Sequence, residues 1–216
     1  MNAQFQQEVS IPVGNVKVHG ELIVPPKAKA IIIFSHGSGS SRFSKRNRQV
    51  AAFLQARHFG TLLFDLLTEK EDEEYQNRFN IDLLTQRLIR VTEWLEKHPA
   101  AKDCRFGFFG ASTGAASALK AAARLPQVEA VVSRGGRPDL AAEDLQRVQA
   151  PVLLIVGSLD YDVLQLNRMA YQQLRGEKKL AIVEGATHLF EEPGTMDKVA
   201  DLSAEWFEHH LLPIPI

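Results

Sequence analysis

Phe106-Gly107-Phe108-Phe109-Gly110-Ala111-Ser112-Thr113-Gly114-Ala115-Ala116 is the stretch on which the reading of this chain turns. The apolar run Phe106 to Gly110 predicts a buried strand, and the Ala-rich segment Thr113 to Leu125 predicts a helix. Between them, Gly110-x-Ser112-x-Gly114 fits a sharp strand-to-helix turn. Such a turn holds its serine in a strained backbone conformation, and small flanking residues let strand and helix approach closely. The helix start directs a positive dipole end and the free N–H of Thr113 toward whatever binds there.

Outward from this turn the chain alternates short apolar runs with segments of helical period. Two strand-like stretches, Val9 to Val13 and Val16 to Val24, come first. Further strands are expected over Ala30 to Ser35, Thr61 to Phe64, Ala130 to Ser133, Val152 to Val156 and Leu180 to Val183, all of them runs that suit strands covered on both faces. Helices are expected over Asn47 to Arg57, Asn80 to Lys97, Leu140 to Val148, Val163 to Arg175 and Thr195 to Leu211. The clearest is the second, where Ile81, Leu84, Leu88, Val91 and Leu95 form one face and Pro99 ends the pattern. This βα alternation predicts a doubly wound α/β sheet, mostly parallel and eight-stranded, with helices on both faces. Its ligands belong outside the carboxyl ends of the strands.

The 216 residues suit one domain over 1–216, since no repeat or Pro/Gly/Ser linker divides them. With 25 Lys+Arg against 26 Asp+Glu there is no overall positive field, so neither nucleic acid nor an anionic membrane is an expected partner. The single cysteine, Cys104, excludes an intrachain disulfide and a Cys-rich zinc site, and reads as packing. Met1 to Ser10 is polar and lacks a signal-peptide pattern, and no apolar run has membrane-spanning length, so a cytoplasmic protein is expected. Oligomeric state is not legible. The charge runs Arg42 to Arg48 and Glu69 to Glu74 follow strands at one predicted edge and can face each other, though solvated loop charge is the plainer reading.

A serine hydroxyl attacks carbonyls at neutral pH only when an imidazole takes its proton, and the imidazole needs a carboxylate to fix its tautomer. Asp160 follows the strand ending at Val156 and is the first candidate acid. Asp162 is its rival, and both can instead cap the next helix. His188 lies in the loop after Leu180 to Val183, whereas His209 and His210 sit in the last helix. The order serine, acid, histidine completes a Ser112–Asp160–His188 triad. The loop Ser35-His36-Gly37-Ser38-Gly39-Ser40-Ser41 should supply an oxyanion donor, Ser38 N–H first and Gly39 N–H second, paired with Thr113 N–H. His36 reads as shaping that turn. Arg134 and Arg137, flanking Gly135-Gly136, either clamp a carboxylate or phosphate of the substrate or pair with nearby acids such as Asp139 and Glu143.

This set points to hydrolysis of a small ester, lactone or thioester through an acyl-enzyme. The competing reading is a ligand-binding or partner-docking module that keeps the frame without turnover. A dinucleotide-binding reading of Gly37-Ser38-Gly39 fails, because the third glycine position of that fingerprint is Arg42.

His36-Gly37-Ser38-Gly39-Ser40-Ser41-Arg42, the turn at Ser112, Gly157-x-x-Asp160 and Thr187-His188-Leu189-Phe190 resemble the dienelactone hydrolase-like branch of the α/β hydrolases from about Val16 onward. The segment through Arg46-Asn47-Arg48 is similar to small hydrolase domains sometimes fused to a phosphoribosyltransferase. The resemblance implies a mixed sheet of eight strands with the second antiparallel, and neither metal nor organic cofactor. Dienelactone hydrolases proper carry a cysteine where this sequence has Ser112, a departure that favours ester-type hydrolysis. Arg134 to Asp139 is too short to hold an inserted cap domain, so an open site with a small, accessible substrate is expected.

Overall fold

A computed structural model describes residues 4–213, so Met1 to Ala3 of the polar N-terminal stretch lie outside the described residues. Eight strands form one sheet: β1 (Phe5–Val13), β2 (Val16–Val24), β3 (Ala30–Ser35), β4 (Gly60–Phe64), β5 (Arg105–Ala111), β6 (Val128–Arg134), β7 (Val152–Gly157) and β8 (Lys178–Val183). Their order is β1-β2-β4-β3-β5-β6-β7-β8. β2 runs antiparallel to both neighbours, and every other pair is parallel. The helices are α1 (Lys45–Ala56), α2 (Glu69–Asp72), α3 (Ile81–Glu96), α4 (Thr113–Ala122), α5 (Tyr161–Gln173) and α6 (Thr195–Leu211).

Successive residues of the central strands feed opposite cores, which is why those strands are apolar throughout. Ile31, Ile33, Phe108, Val131 and Leu154 join Leu84, Leu88, Val91 and Leu95 of α3 together with α4 on one face. Ile32, Phe34, Phe109, Val132 and Ile155 join Val50 and Leu54 of α1 and Val199 and Phe207 of α6 on the other. Gly107 permits this second layer, since a Cβ there would lie 2.9 Å from Leu211 Cδ1 and 3.0 Å from Phe207 Cε1.

The structure departs from the sequence expectation in three places. The helix expected over Leu140 to Val148 is two 3-10 turns, Pro138–Ala141 and Leu145–Arg147. Between them the buried Asp144 faces Lys120 of α4 and Arg124 just beyond its end, at 3.7 and 3.9 Å, and Leu145 is buried, so anchoring to these residues prevails over helix propensity. Glu69–Asp72 is a short helix in place of a charged loop, started by a capping box between Thr68 and Glu71. The two charge runs do not pair with each other among the described residues. Arg42 pairs with Asp65 and Glu8, Arg48 with Glu21, Glu71 with Arg87, and Asp72 with Arg78. Among the described residues no cap domain interrupts the path from β6 to β7, and no helix is long and apolar enough to cross a membrane.

Candidate active site

Ser112 sits between β5 and α4 with φ 52° and ψ −123°, a conformation that side-chain-bearing residues rarely adopt. Backbone hydrogen bonds hold it there: its N–H donates to Arg134 O at 3.2 Å, and its carbonyl accepts from Ala115 N and Arg137 N, each at 3.1 Å. The flanking glycines are sterically required. A Cβ on Gly114 would lie 2.1 Å from Ser35 O, and one on Gly110 would lie 2.5 Å from Ala115 Cα.

His188 Nδ1 lies 2.6 Å from Asp160 Oδ2. Nδ1–H therefore donates to the carboxylate, leaving Nε2 as the basic nitrogen. The two loops are held together by Leu159 N–H donating to Ala186 O at 3.0 Å, and by Gly157, where a Cβ would come 2.2 Å from that same carbonyl. Asp160 is the N-cap residue of α5, yet its side chain makes no capping hydrogen bond. Asp162 is exposed in the first turn of α5. Across β6, Gly135 runs so close to His188 that a Cβ would sit 3.5 Å from its ring. Ser112 Oγ makes no hydrogen bond to His188 among the described residues. In unliganded sites this contact is commonly long and tightens with substrate.

The structure does not leave Ser38 N–H free, as the sequence reading requires. It donates to Thr113 Oγ1 at 2.9 Å, Thr113 Oγ1 lies 2.7 Å from Ser38 Oγ, and Ser38 Oγ–H donates to Arg78 O at 2.6 Å. A threonine hydroxyl beside the loop takes the place the oxyanion would occupy for that donor. Thr113 N–H, at the first position of α4, has no intrahelical acceptor. Gly39 adopts φ 72°, with Arg78 Nη1 3.8 Å from the position of a Cβ. His36 braces the loop: Nδ1–H donates to Gly37 O at 2.9 Å, and Nε2 accepts Leu66 N–H at 3.0 Å. Burial lowers its pKa, consistent with this neutral tautomer.

Arg137 pairs with Asp139 in a two-pronged contact at 2.9 and 2.7 Å, which raises its pKa. Arg134 has no acid partner among the described residues. Its Nη2 reaches only Asn47 Oδ1 at 3.5 Å, and Nε is buried with no acceptor. Arg46 and Asn47 act on Arg134, and Arg78 meets the Ser38–Gly39 loop; sequence reading did not single out any of the three as site residues. Arg78 arrives on a 3-10 turn (Tyr75–Phe79) that no periodicity announces. A cleft of about 660 Å³ opens beside the Ser38 loop, lined by Lys17, His19, Arg42, Phe43, Asp65 and Lys70 among others, and it does not include the triad residues.

An eight-stranded sheet with an antiparallel second strand, a serine elbow after β5, and an acid and histidine after β7 and β8 defines an α/β-hydrolase fold. The sequence matches the Dienelactone hydrolase family over residues 18–210, and the chain belongs to that family. A dienelactone hydrolase from Anabaena variabilis has a crystal structure similar over 96% of this chain and 99% of that one, with TM-score 0.94 and 50% identity. A protein of Mycobacterium tuberculosis (strain ATCC 25618 / H37Rv), provisionally named a phosphoribosyl transferase, is 54% identical over 206 residues, 95% of this chain and 46% of its own length. The chain thus spans about half the length of the curated relatives it matches. Est1E from Butyrivibrio proteoclasticus shares the fold at TM-score 0.81 and 15% identity, over 94% of this chain and 98% of that one.

Proposed function

We propose that this chain is a serine hydrolase of small esters, lactones or thioesters. Ser112 Oγ attacks the carbonyl carbon while His188 Nε2 takes its proton. The tetrahedral oxyanion collapses to an acyl-enzyme as His188 protonates the leaving group, and water then attacks by the same route in reverse roles. Asp160 holds the imidazole in the tautomer with Nε2 free. Thr113 N–H is one oxyanion donor, and Ser38 N–H becomes the second by turning from Thr113 Oγ1 to the substrate oxygen. Gly39 lets the substrate approach this loop closely. The observation that carries the reading is the 2.6 Å Asp160–His188 contact beside an elbow serine at φ 52°.

No step calls on a metal or organic cofactor, and the expected partner is a small-molecule substrate. A cytoplasmic setting suits the lone thiol of Cys104, which burial pushes above its usual pKa. The test is hydrolysis of p-nitrophenyl acetate and butyrate by wild type and Ser112→Ala. Loss of the nucleophile should cost about 10⁶ in turnover. Equal background rates, together with no fluorophosphonate labelling of Ser112, would favour the non-catalytic module. The open Ser112–His188 contact is the observation on that side.

A further inference from the structure

Arg134 is 6% exposed, and its surroundings are those of a cation without a counter-charge. The side chain leaves the end of β6 toward the first turn of α1, where Asn47 Oδ1 is its one hydrogen-bond acceptor among the described residues, at 3.5 Å. Its Cζ stands 5.9 Å from the centre of the Phe190 ring. A second cation, Arg46, acts on it; the Arg46 Nε is also buried with no acceptor among the described residues, and its Nη1 only approaches the exposed Glu191, at 4.0 Å. The other acid on that loop, Glu192, is bonded to Thr187. α1 adds a third positive element. Its 12 residues begin after the cap Ser44 with no acidic side chain in the first turn, and the N–H groups of Lys45 and Arg46 have no intrahelical acceptors. Burial, followed by repulsion from Arg46, lowers the pKa of Arg134 to about 10.

Burying a charge without a counter-charge is unfavourable, a cost that an anion shared among these donors would offset. We infer that Arg134, Arg46 and the N-terminal turn of α1 form a binding site for a carboxylate or phosphate group. A hollow of about 280 Å³ lies alongside, its walls including Arg46 and Phe190, the residues against Arg134, together with Glu191, Glu192 and Asp197. The site adjoins the reaction centre, because Arg134 O accepts the Ser112 N–H and Phe190 lies two residues beyond His188. The anion is either an acid group carried by the ester substrate, which rests on the hydrolase reading, or a separate small anion, which does not.

The test uses the full chain with Ser112→Ala, so that binding is read without turnover. Thermal unfolding is followed in rising inorganic phosphate at ionic strength held constant with chloride. Tm should rise saturably with phosphate, and Arg134→Met should abolish the rise. In phosphate-free chloride Arg134→Met should melt no lower than its parent, since it removes a buried charge and keeps apolar volume. No phosphate-dependent rise, an equal rise in Arg134→Met, or a large loss of stability in that variant without phosphate would overturn the proposal in favour of a structural arginine. If Arg134→Met does not fold, Arg46→Gln replaces it and should shift the phosphate response to higher concentration; an unchanged response counts against the site.

The source is separated on the Ser112 enzyme by comparing kcat/KM for p-nitrophenyl hemisuccinate and p-nitrophenyl butyrate. A ratio that falls about tenfold or more in Arg134→Met, the loss of a charge-assisted hydrogen bond, places the anion on the substrate. An unchanged ratio with Arg134-dependent phosphate stabilisation assigns the site to a free anion. Absence of any Ser112-dependent turnover would end the hydrolase reading and leave the phosphate result standing.

Discussion

At Ser112 the left-handed backbone and its three backbone hydrogen bonds belong to the turn, so the hydroxyl can be removed with little effect on the fold. Ser112→Ala should therefore unfold within about 0.5 kcal/mol of wild type, as surface-type changes do, while losing turnover. Asp160 and Asp162 are two residues apart with different duties. Asp160→Asn keeps the shape but reverses the polarity of the bond to His188 Nδ1, and should lower kcat by about 10⁴. Asp162→Asn should leave kcat within about twofold, because an exposed carboxylate in the first turn of α5 supplies only a screened dipole contact. Steady-state kinetics of the pair check both.

His36 gives a pH prediction. Its folded-state pKa lies below the unfolded value of 6.5 because burial disfavours the cation. The unfolded chain then binds more protons below that value, so stability is full above about pH 6.5 and falls as pH is lowered toward the folded pKa. His98 and His210, lowered by the same cause, act in the same direction. The slope from one such group is at most about 1.4 kcal/mol per pH unit. His36→Gln, which removes the titrating ring, should flatten the dependence between neutral pH and pH 5.5, measured by urea unfolding.

Among the elements, the strand–elbow–helix unit is the least tolerant of change. Gly114→Ala places a methyl where Ser35 O already stands 2.1 Å away, so β3 and α4 must separate. It should cost about 3 kcal/mol or more, the upper end of overpacking penalties. Thr68 is a milder case. Thr68→Ala removes half of the capping box that starts α2 and should cost about 1 kcal/mol, readable by denaturant unfolding. The T-x-x-E pattern at Thr68 to Glu71 was visible in the sequence, but the surrounding acidic run obscured it. The turns over Pro138 to Arg147 were not visible, since their form depends on Asp144 meeting Lys120 of α4 and Arg124 just beyond it.

For the whole molecule, one sheet separates two cores that share the same strands. Leu88 on the α3 face and Phe207 on the α6 face are both fully buried. Leu88→Ala should cost about 2–5 kcal/mol and Phe207→Ala about 3–5. Because the sites lie on opposite sides of the sheet, the double variant should be additive within about 0.5 kcal/mol and still unfold in one transition. Two separate transitions by circular dichroism would mean that the halves are independent domains.

The sequence by itself determined the strand–helix alternation, the doubly wound class, the elbow at Ser112 and the loops that hold the acid and the histidine. Each of these follows from local periodicity or from the sterics of a few adjacent residues. Tertiary structure decided that Asp160 and not Asp162 touches His188, that Ser38 N–H is engaged by Thr113, and that Arg134 meets Asn47 with no acid partner among the described residues. Those outcomes depend on contacts between residues up to 87 positions apart, as between Asn47 and Arg134, and sequence spacing carries no distance at that separation.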